Sequence, residues 1–204
     1  MKLKVCGMRE PHNIQQLLEL EPDFMGFIFF ERSKRFALDL DKELLQSFPE
    51  SVKKVGVFVN SPIDELKEKV KEYKLDYVQL HGDESVEYVG ELFAIGIKVI
   101  KVFSVGEEFD FDRMKPYKGL VDFFLFDTKG KERGGNGEVF NWEVLNDYPY
   151  DVPYFLSGGI DLENAKDIAG LKVQPYAIDV NSKFELEPGL KDIEQVKMLK
   201  EILK

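Results

Sequence analysis

Eight short apolar runs recur along the chain, each separated from the next by a longer polar or amphipathic stretch. They are "LKVC" (3–6), "FMGFIFF" (24–30), "VGVFV" (55–59), "DYVQL" (76–80), "IKVIKVF" (97–103), "LVDFFLF" (120–126), "VPYFL" (152–156) and "YAIDV" (176–180). Each has strand length and is apolar on consecutive positions, as a parallel strand covered on both faces must be. The intervening stretches carry helical signals. Ile14, Leu17 and Leu18 share one helical face behind Pro11, and "DLDKELLQSF" (39–48) predicts a second helix. Ile63, Leu66, Val70 and Tyr73 recur at helical spacing, with Ser61 reading as N-cap, Pro62 as first helical residue and Asp64 as capping-box partner. Further helices are expected over 84–93, closed by Gly96, over 161–170, and at the end of the chain through Ile193, Val196, Leu199 and Ile202. Only 104–119 lacks a clear helical period, which predicts a short or irregular crossover. Strands alternating with helices specify a parallel α/β protein. A count of eight predicts a closed (β/α)8 TIM barrel, as a single domain over 1–204.

Composition excludes several classes of function. The formal charge is −10, from 38 acidic and 28 basic residues, which argues against a nucleic-acid partner. No apolar run approaches the ~18 to 20 residues of a membrane helix, so no membrane association is expected. The N-terminus reads as a strand and not as a signal peptide. A single cysteine excludes a disulfide framework and fits a reducing compartment, so the expected location is cytoplasmic.

In such a barrel, chemistry sits where strands end and their following loops begin. Cys6 ends the first run, and its thiol is within reach of service as a base where the surroundings favour the thiolate. Its bland alternative is a buried structural cysteine. Asp127 follows the sixth run as an acid–base candidate, or merely as a cap. The glycine-rich "GKERGGNG" (130–137) behind it is long and polar enough to cover a site. "LSGGID" (156–161) and "DVNSKFE" (179–185) follow the seventh and eighth runs, where barrels often bind phosphate through backbone N–H groups. Gly158, Gly159, Asn181 and Ser182 are the candidates; the plainer alternative is a pair of ordinary turns. "ERSKRF" (31–36) supplies Arg32, Lys34 and Arg35, either a solvated basic turn or an Arg fork for a carboxylate. His81 and Asp179 also end strands.

Taken in order, "KVCG", "GFIF…SKR", "VQLHG", "FDT…GGNG…FNW", "LSGGI…NA" and "IDVNS…E…PGLKD" resemble the phosphoribosylanthranilate isomerase family along the whole chain. The resemblance implies a barrel that needs neither metal nor organic cofactor. It implies an Amadori rearrangement of N-(5-phosphoribosyl)anthranilate to 1-(2-carboxyphenylamino)-1-deoxyribulose 5-phosphate, in tryptophan biosynthesis. The family's cysteine base falls on Cys6, its aspartate acid on Asp127 and its carboxylate-binding arginine on Arg35. His81 and Asp179 match further substrate-binding positions. The implied partner is a small phosphorylated molecule, with the chain a monomer or homodimer. This chain departs from the family's usual pattern at Arg9, Asn136 and the Asn181–Ser182–Lys183 run. Lys183 replaces a glycine that would tolerate a left-handed backbone, and it adds a cation near the phosphate. The competing readings are another phosphosugar barrel, or a barrel that binds a phosphorylated metabolite without catalysis. Among the former, the histidine-pathway isomerase has an aspartate after the first strand, where this chain has Cys6; a pentulose-phosphate epimerase calls for metal-ligand His and Asp on several strands, which two His make hard to build; and indole-glycerol-phosphate synthase calls for a catalytic lysine. The latter need not keep those two residues together.

Overall fold

The computed structural model describes residues 1–106, 109–128 and 141–204. The glycine-rich segment 130–137, with Asn136, lies outside the described residues.

All eight apolar runs form strands: β1 (Lys2–Val5), β2 (Phe24–Ile28), β3 (Lys53–Phe58), β4 (Tyr77–Leu80), β5 (Val99–Val105), β6 (Phe123–Thr128), β7 (Tyr154–Leu156) and β8 (Ala177–Val180). They pair in sequence order, all parallel, and β1 closes on β8. The expected barrel is present.

Among the described residues, five α-helices lie among or after the strands: α1 (Pro11–Glu19), α2 (Lys42–Gln46), α3 (Ile63–Tyr73), α4 (Val86–Ala94) and α5 (Ile193–Ile202). The crossovers after β5, β6 and β7 hold 3-10 helices instead, at Phe111–Tyr117, Trp142–Asp147 and Ala165–Gly170. The irregular crossover expected over 104–119 is the first of these. The α-helix expected over 161–170 is shorter and tighter. The Asp161 carboxylate takes the amides of Glu163 and Asn164, which fixes a turn before the helix can begin. Six residues then remain before the chain extends again at Leu171, which suits a 3-10 segment. The cap of α3 also differs from expectation. Pro62 occupies the cap position with an extended ψ of 138° and no side chain caps the helix. Ser61 instead offers its carbonyl to the Tyr88 hydroxyl at 2.9 Å. After β8 comes a hairpin that periodicity did not announce, β9 (Glu185–Glu187) and β10 (Leu190–Lys191). Among the described residues no helix is long and apolar enough to cross a membrane.

Side chains two apart on a strand face the same way, and this sorts the barrel interior into layers. Phe24, Val55, Phe123, Phe155 and Ala177 fill its lower end, with Phe155 in edge-to-face contact with Phe24 and Phe123 at 5.0 Å each. Two residues further along, the same strand faces carry Gly26, Val57, Leu125 and Asp179. Two further still come Ile28, Val59 and Asp127. Polarity therefore rises toward the strand C-termini.

The loop after β4 is clamped by a buried ion pair. Lys101 donates to the carbonyls of Leu80 and Gly82 at 3.3 and 2.9 Å, and to Glu84 at 3.0 Å. Glu84 in turn accepts the amides of Asn60 and Gly82 at 2.9 and 3.0 Å. Lys101→Met leaves that carboxylate buried without its cation, and should lower unfolding free energy in urea by about 3 to 5 kcal/mol. The double variant Lys101→Met/Glu84→Gln should lose clearly less. Equal losses would show that the two groups are not coupled.

Candidate active site

A cavity of about 640 Å³ opens at the C-terminal end of the barrel. Every site residue singled out in the sequence lines it: Cys6, Arg35, His81, Asp127, Gly158, Gly159, Asp179, Asn181 and Ser182. β1 and β6 lie three strands apart around the ring, so the thiol and the acid enter from well-separated walls.

On one wall, Asp127 is buried. Its Oδ1 accepts the Thr128 amide at 2.9 Å, and its Oδ2 lies 3.3 Å from His81 Nε2. His81 Nδ1 lies 3.5 Å from the Gln79 side-chain nitrogen. Gln79 is two residues earlier on the same strand face, so the imidazole and its support rise together from β4.

On the opposite wall, Cys6 follows β1 and its amide donates to Val180 on β8 at 2.9 Å. Lys4 lies two residues below on the same face. It is completely buried, and its Nζ donates to Asp179 Oδ2 at 2.8 Å. Burial pushes the Cys6 thiol above its ordinary value. Lys4 opposes that most strongly, Asp179 adds to it, and Lys191 pulls it down. Burial likewise raises Asp179, against the pull of Lys4. Asp179 Oδ1, Gln79 Oε1 and Thr128 Oγ1 are buried polar atoms of cavity-lining residues with no hydrogen-bond partner among the described residues. Such atoms are costly unless something in the cavity bonds them.

Arg35 is committed within the protein. Its Nε lies 2.9 Å from both oxygens of Glu185, and its Nη2 donates to Oε2 at 2.7 Å. Glu185 also takes Lys191 Nζ at 2.6 Å. Two cations therefore share one carboxylate, leaving a net positive charge at this edge of the cavity. Burial works against ionised Glu185, but Arg35 and Lys191 outweigh it and hold its carboxyl below the ordinary value. Burial lowers Lys191 to about 8 despite Glu185. Arg32 and Lys34 also line the mouth.

The two loops expected to hold phosphate lie side by side on the cavity wall. Gly158 and Gly159 both have left-handed backbone, with φ of 90° and 67°. A side chain on Gly158 would collide with the Thr128 hydroxyl and amide. Asn181 precedes a 3-10 turn over Ser182–Phe184, and its Oδ1 accepts from Lys191 at 2.6 Å. Lys183 has no positive φ, so the loop does not need the glycine that it replaces. Gly7, with φ of 80°, does admit a close approach: a Cβ there would lie 2.8 Å from both Arg35 Cδ and Asn181 Oδ1.

Lys4, Glu185 and Lys191 are the residues of this site that pattern reading left without a role. Lys4 did carry a signal, as a charged residue inside an otherwise apolar strand. Glu185 and Lys191 stood only as members of the motif "IDVNS…E…PGLKD", with nothing in the pattern to show that the hairpin turns them inward. Among the described residues no three His, Cys, Asp or Glu side chains are grouped as a metal would require.

Residues 3–201 match the family model for N-(5'phosphoribosyl)anthranilate (PRA) isomerase. The N-(5'-phosphoribosyl)anthranilate isomerase of Parabacteroides distasonis is 48% identical over 97% of this chain and 90% of its own length. That of Caldanaerobacter subterraneus is 39% identical over 97% and 95%. The crystal structure of phosphoribosyl anthranilate isomerase from Thermotoga maritima superposes with a TM-score of 0.85 at 33% identity, covering 99% of this chain and 98% of that one. A phosphoribosyl anthranilate isomerase in complex with reduced 1-(o-carboxyphenylamino)-1-deoxyribulose 5-phosphate superposes at 0.81 with 30% identity, over 98% and 96%. The chain belongs to the N-(5'-phosphoribosyl)anthranilate isomerase family.

The charge at the Arg35 edge generates a pH prediction. A carboxyl held below its ordinary 4.5 stabilises the folded state above that pH and ceases to do so as pH falls through its folded value. Glu185→Gln removes this titration. The urea midpoint of the unsubstituted protein should therefore fall more steeply below pH 4.5 than that of the variant. Parallel curves would show that Glu185 titrates alike in both states.

Proposed function

We propose that the chain catalyses the Amadori rearrangement of N-(5-phosphoribosyl)anthranilate to 1-(2-carboxyphenylamino)-1-deoxyribulose 5-phosphate in tryptophan biosynthesis, with Cys6 as general base and Asp127 as general acid. The observation that carries this reading is the convergence of a thiol and a carboxyl, from strands three apart, on one cavity rimmed by glycine loops and cations.

The chemistry divides into two proton transfers. Asp127 protonates the ribose ring oxygen. The C1–O bond breaks, and the nitrogen lone pair forms a C1=N iminium. Cys6 then removes the proton from C2, and the electrons of that C–H bond form C1=C2 as the iminium nitrogen is neutralised. Ketonisation of the resulting enolamine moves a proton to C1 and gives the product. The iminium acidifies the C2 proton, so a thiolate is a sufficient base. His81, 3.3 Å from Asp127, holds the acid on the ring-oxygen side. Asp179 Oδ1, buried and without a hydrogen-bond partner among the described residues, accepts a substrate hydroxyl. Gly158, Gly159, Asn181 and Ser182 hold the 5'-phosphate through backbone N–H groups, with Lys183 adding charge. Arg35 binds the anthranilate carboxylate with the N–H groups that Glu185 leaves over.

Fluorescence consumption of freshly generated phosphoribosylanthranilate tests the activity. Cys6→Ser and Asp127→Asn should each remain folded and bind product, with kcat reduced at least ~100-fold. A folded Cys6→Ser variant working at the unsubstituted rate would falsify the role of the thiol. Arg35→Ala should weaken product binding by roughly 2 to 5 kcal/mol, measured by calorimetry. Unchanged affinity would transfer the carboxylate to Arg32 or Lys34.

A further inference from the structure

Among the described residues, Lys4 is the one fully buried cation on the barrel's own inner wall that the reaction above leaves unused. A lysine at this depth is expensive to ionise without a partner. Its Asp179 partner sits directly across the β1–β8 seam, where Lys4 and Asp179 are register neighbours. One ammonium has three protons, and the carboxylate at 2.8 Å takes one. Cys6 stands on the same strand face two residues toward the cavity, so the Lys4 charge lies below the thiol and favours its ionised form. β2 contributes no charge on the remaining side. It offers Gly26, where a Cβ would lie 2.7 Å from Cys6 Sγ, so only a glycine there leaves space for the thiol.

We propose that Lys4 is a positioning residue for the proton transfer, its ammonium held by Asp179 directly beneath Cys6 so that a fixed positive charge stabilises the thiolate. The inference rests on Cys6 serving as the base. Several charges face that sulfur, and they can be told apart. Lys4 from β1 favours the thiolate, Asp179 from β8 disfavours it, and Lys191 from β10 favours it. Beyond them, Glu185 and Arg35 are bound to each other, and Asp127 and His81 pair with each other on the far wall. Asp179 thus has two opposed effects: it holds the cation in place, and its own charge works against the thiolate. Asp179→Asn keeps an acceptor for Lys4 and loses only the charge, so it and Lys4→Met should move Cys6 in opposite directions, which general damage to the site would not do.

The experiment is titration of the thiol itself. The chain has one cysteine, so the ultraviolet absorbance of thiolate and the pH dependence of iodoacetamide alkylation both report Cys6 alone. Lys4→Met should raise the thiol pKa by about 1 to 3 pH units, the effect of removing one close charge, and should move the acid limb of kcat with it. Asp179→Asn should lower the thiol pKa. If Lys4→Met does not fold, Lys4→Met/Asp179→Asn removes both charges and should titrate above Asp179→Asn alone. An unchanged thiol pKa in Lys4→Met, or equal values in the double variant and Asp179→Asn, overturns the inference. A raised thiol pKa with an unmoved acid limb overturns instead the assignment of Cys6 as the base, and leaves the electrostatic link to Lys4 standing.

Discussion

Pairing of β1 with β8 turns a twisted parallel sheet into a closed barrel, and the candidate site depends on that seam. Four consecutive register pairs, from Lys2 opposite Ala177 to Val5 opposite Val180, join the two ends of the chain. Closure removes both sheet edges, which would otherwise expose rows of unpaired backbone groups. It also sets Lys4 against Asp179 and hangs the Cys6 amide on Val180. A one-residue slip of β1 would turn Lys4 and Cys6 to the helix side and put Leu3 and Val5 inside, since faces alternate with period two. The buried ion pair penalises such a slip, because each charge would lose its only close partner of opposite sign on the seam.

Three buried lysines follow one rule. Lys4 is bound to Asp179, Lys101 to Glu84 and Lys191 to Glu185. Such pairs contribute little net stability compared with well-packed apolar groups, but losing one partner is severe. Their value here is placement. Lys101 fixes the loop that carries His81, Lys191 fixes Asn181 and Glu185, and Lys4 lies under the thiol. In a chain of net charge −10, an anionic ligand meets a mouth whose local charge is positive because Arg35 and Lys191 share a single carboxylate. The aromatic plug below does the complementary work. Phe24, Phe123 and Phe155 fill the lower barrel, so the cavity is confined to the end where the loops converge.

The fold was legible because its signal is local. A strand buried on both faces must be apolar at consecutive positions, so eight such runs could be counted directly. The crossovers were less legible. An apolar period in 161–170 fits an α-helix and a 3-10 helix equally, and the choice fell to the Asp161 turn, which uses side-chain bonds that periodicity does not register. Likewise Ser61 is a good cap by type, but Pro62 occupies the cap position and Tyr88 claims the Ser61 carbonyl.

The catalytic candidates were legible for a related reason. Strand ends are readable, a barrel places its chemistry there, and Cys6, His81, Asp127 and Asp179 all lie at such ends. Residue type and position along the chain therefore determined, without coordinates, the barrel, the rim and the acid and base candidates. What only the tertiary structure decided is who pairs with whom. Lys4 and Asp179 are 175 residues apart, and Arg35 and Glu185 are 150 apart. Charge interactions act through space over a few ångströms, and the separation of two residues along a chain does not fix their distance once the barrel has closed.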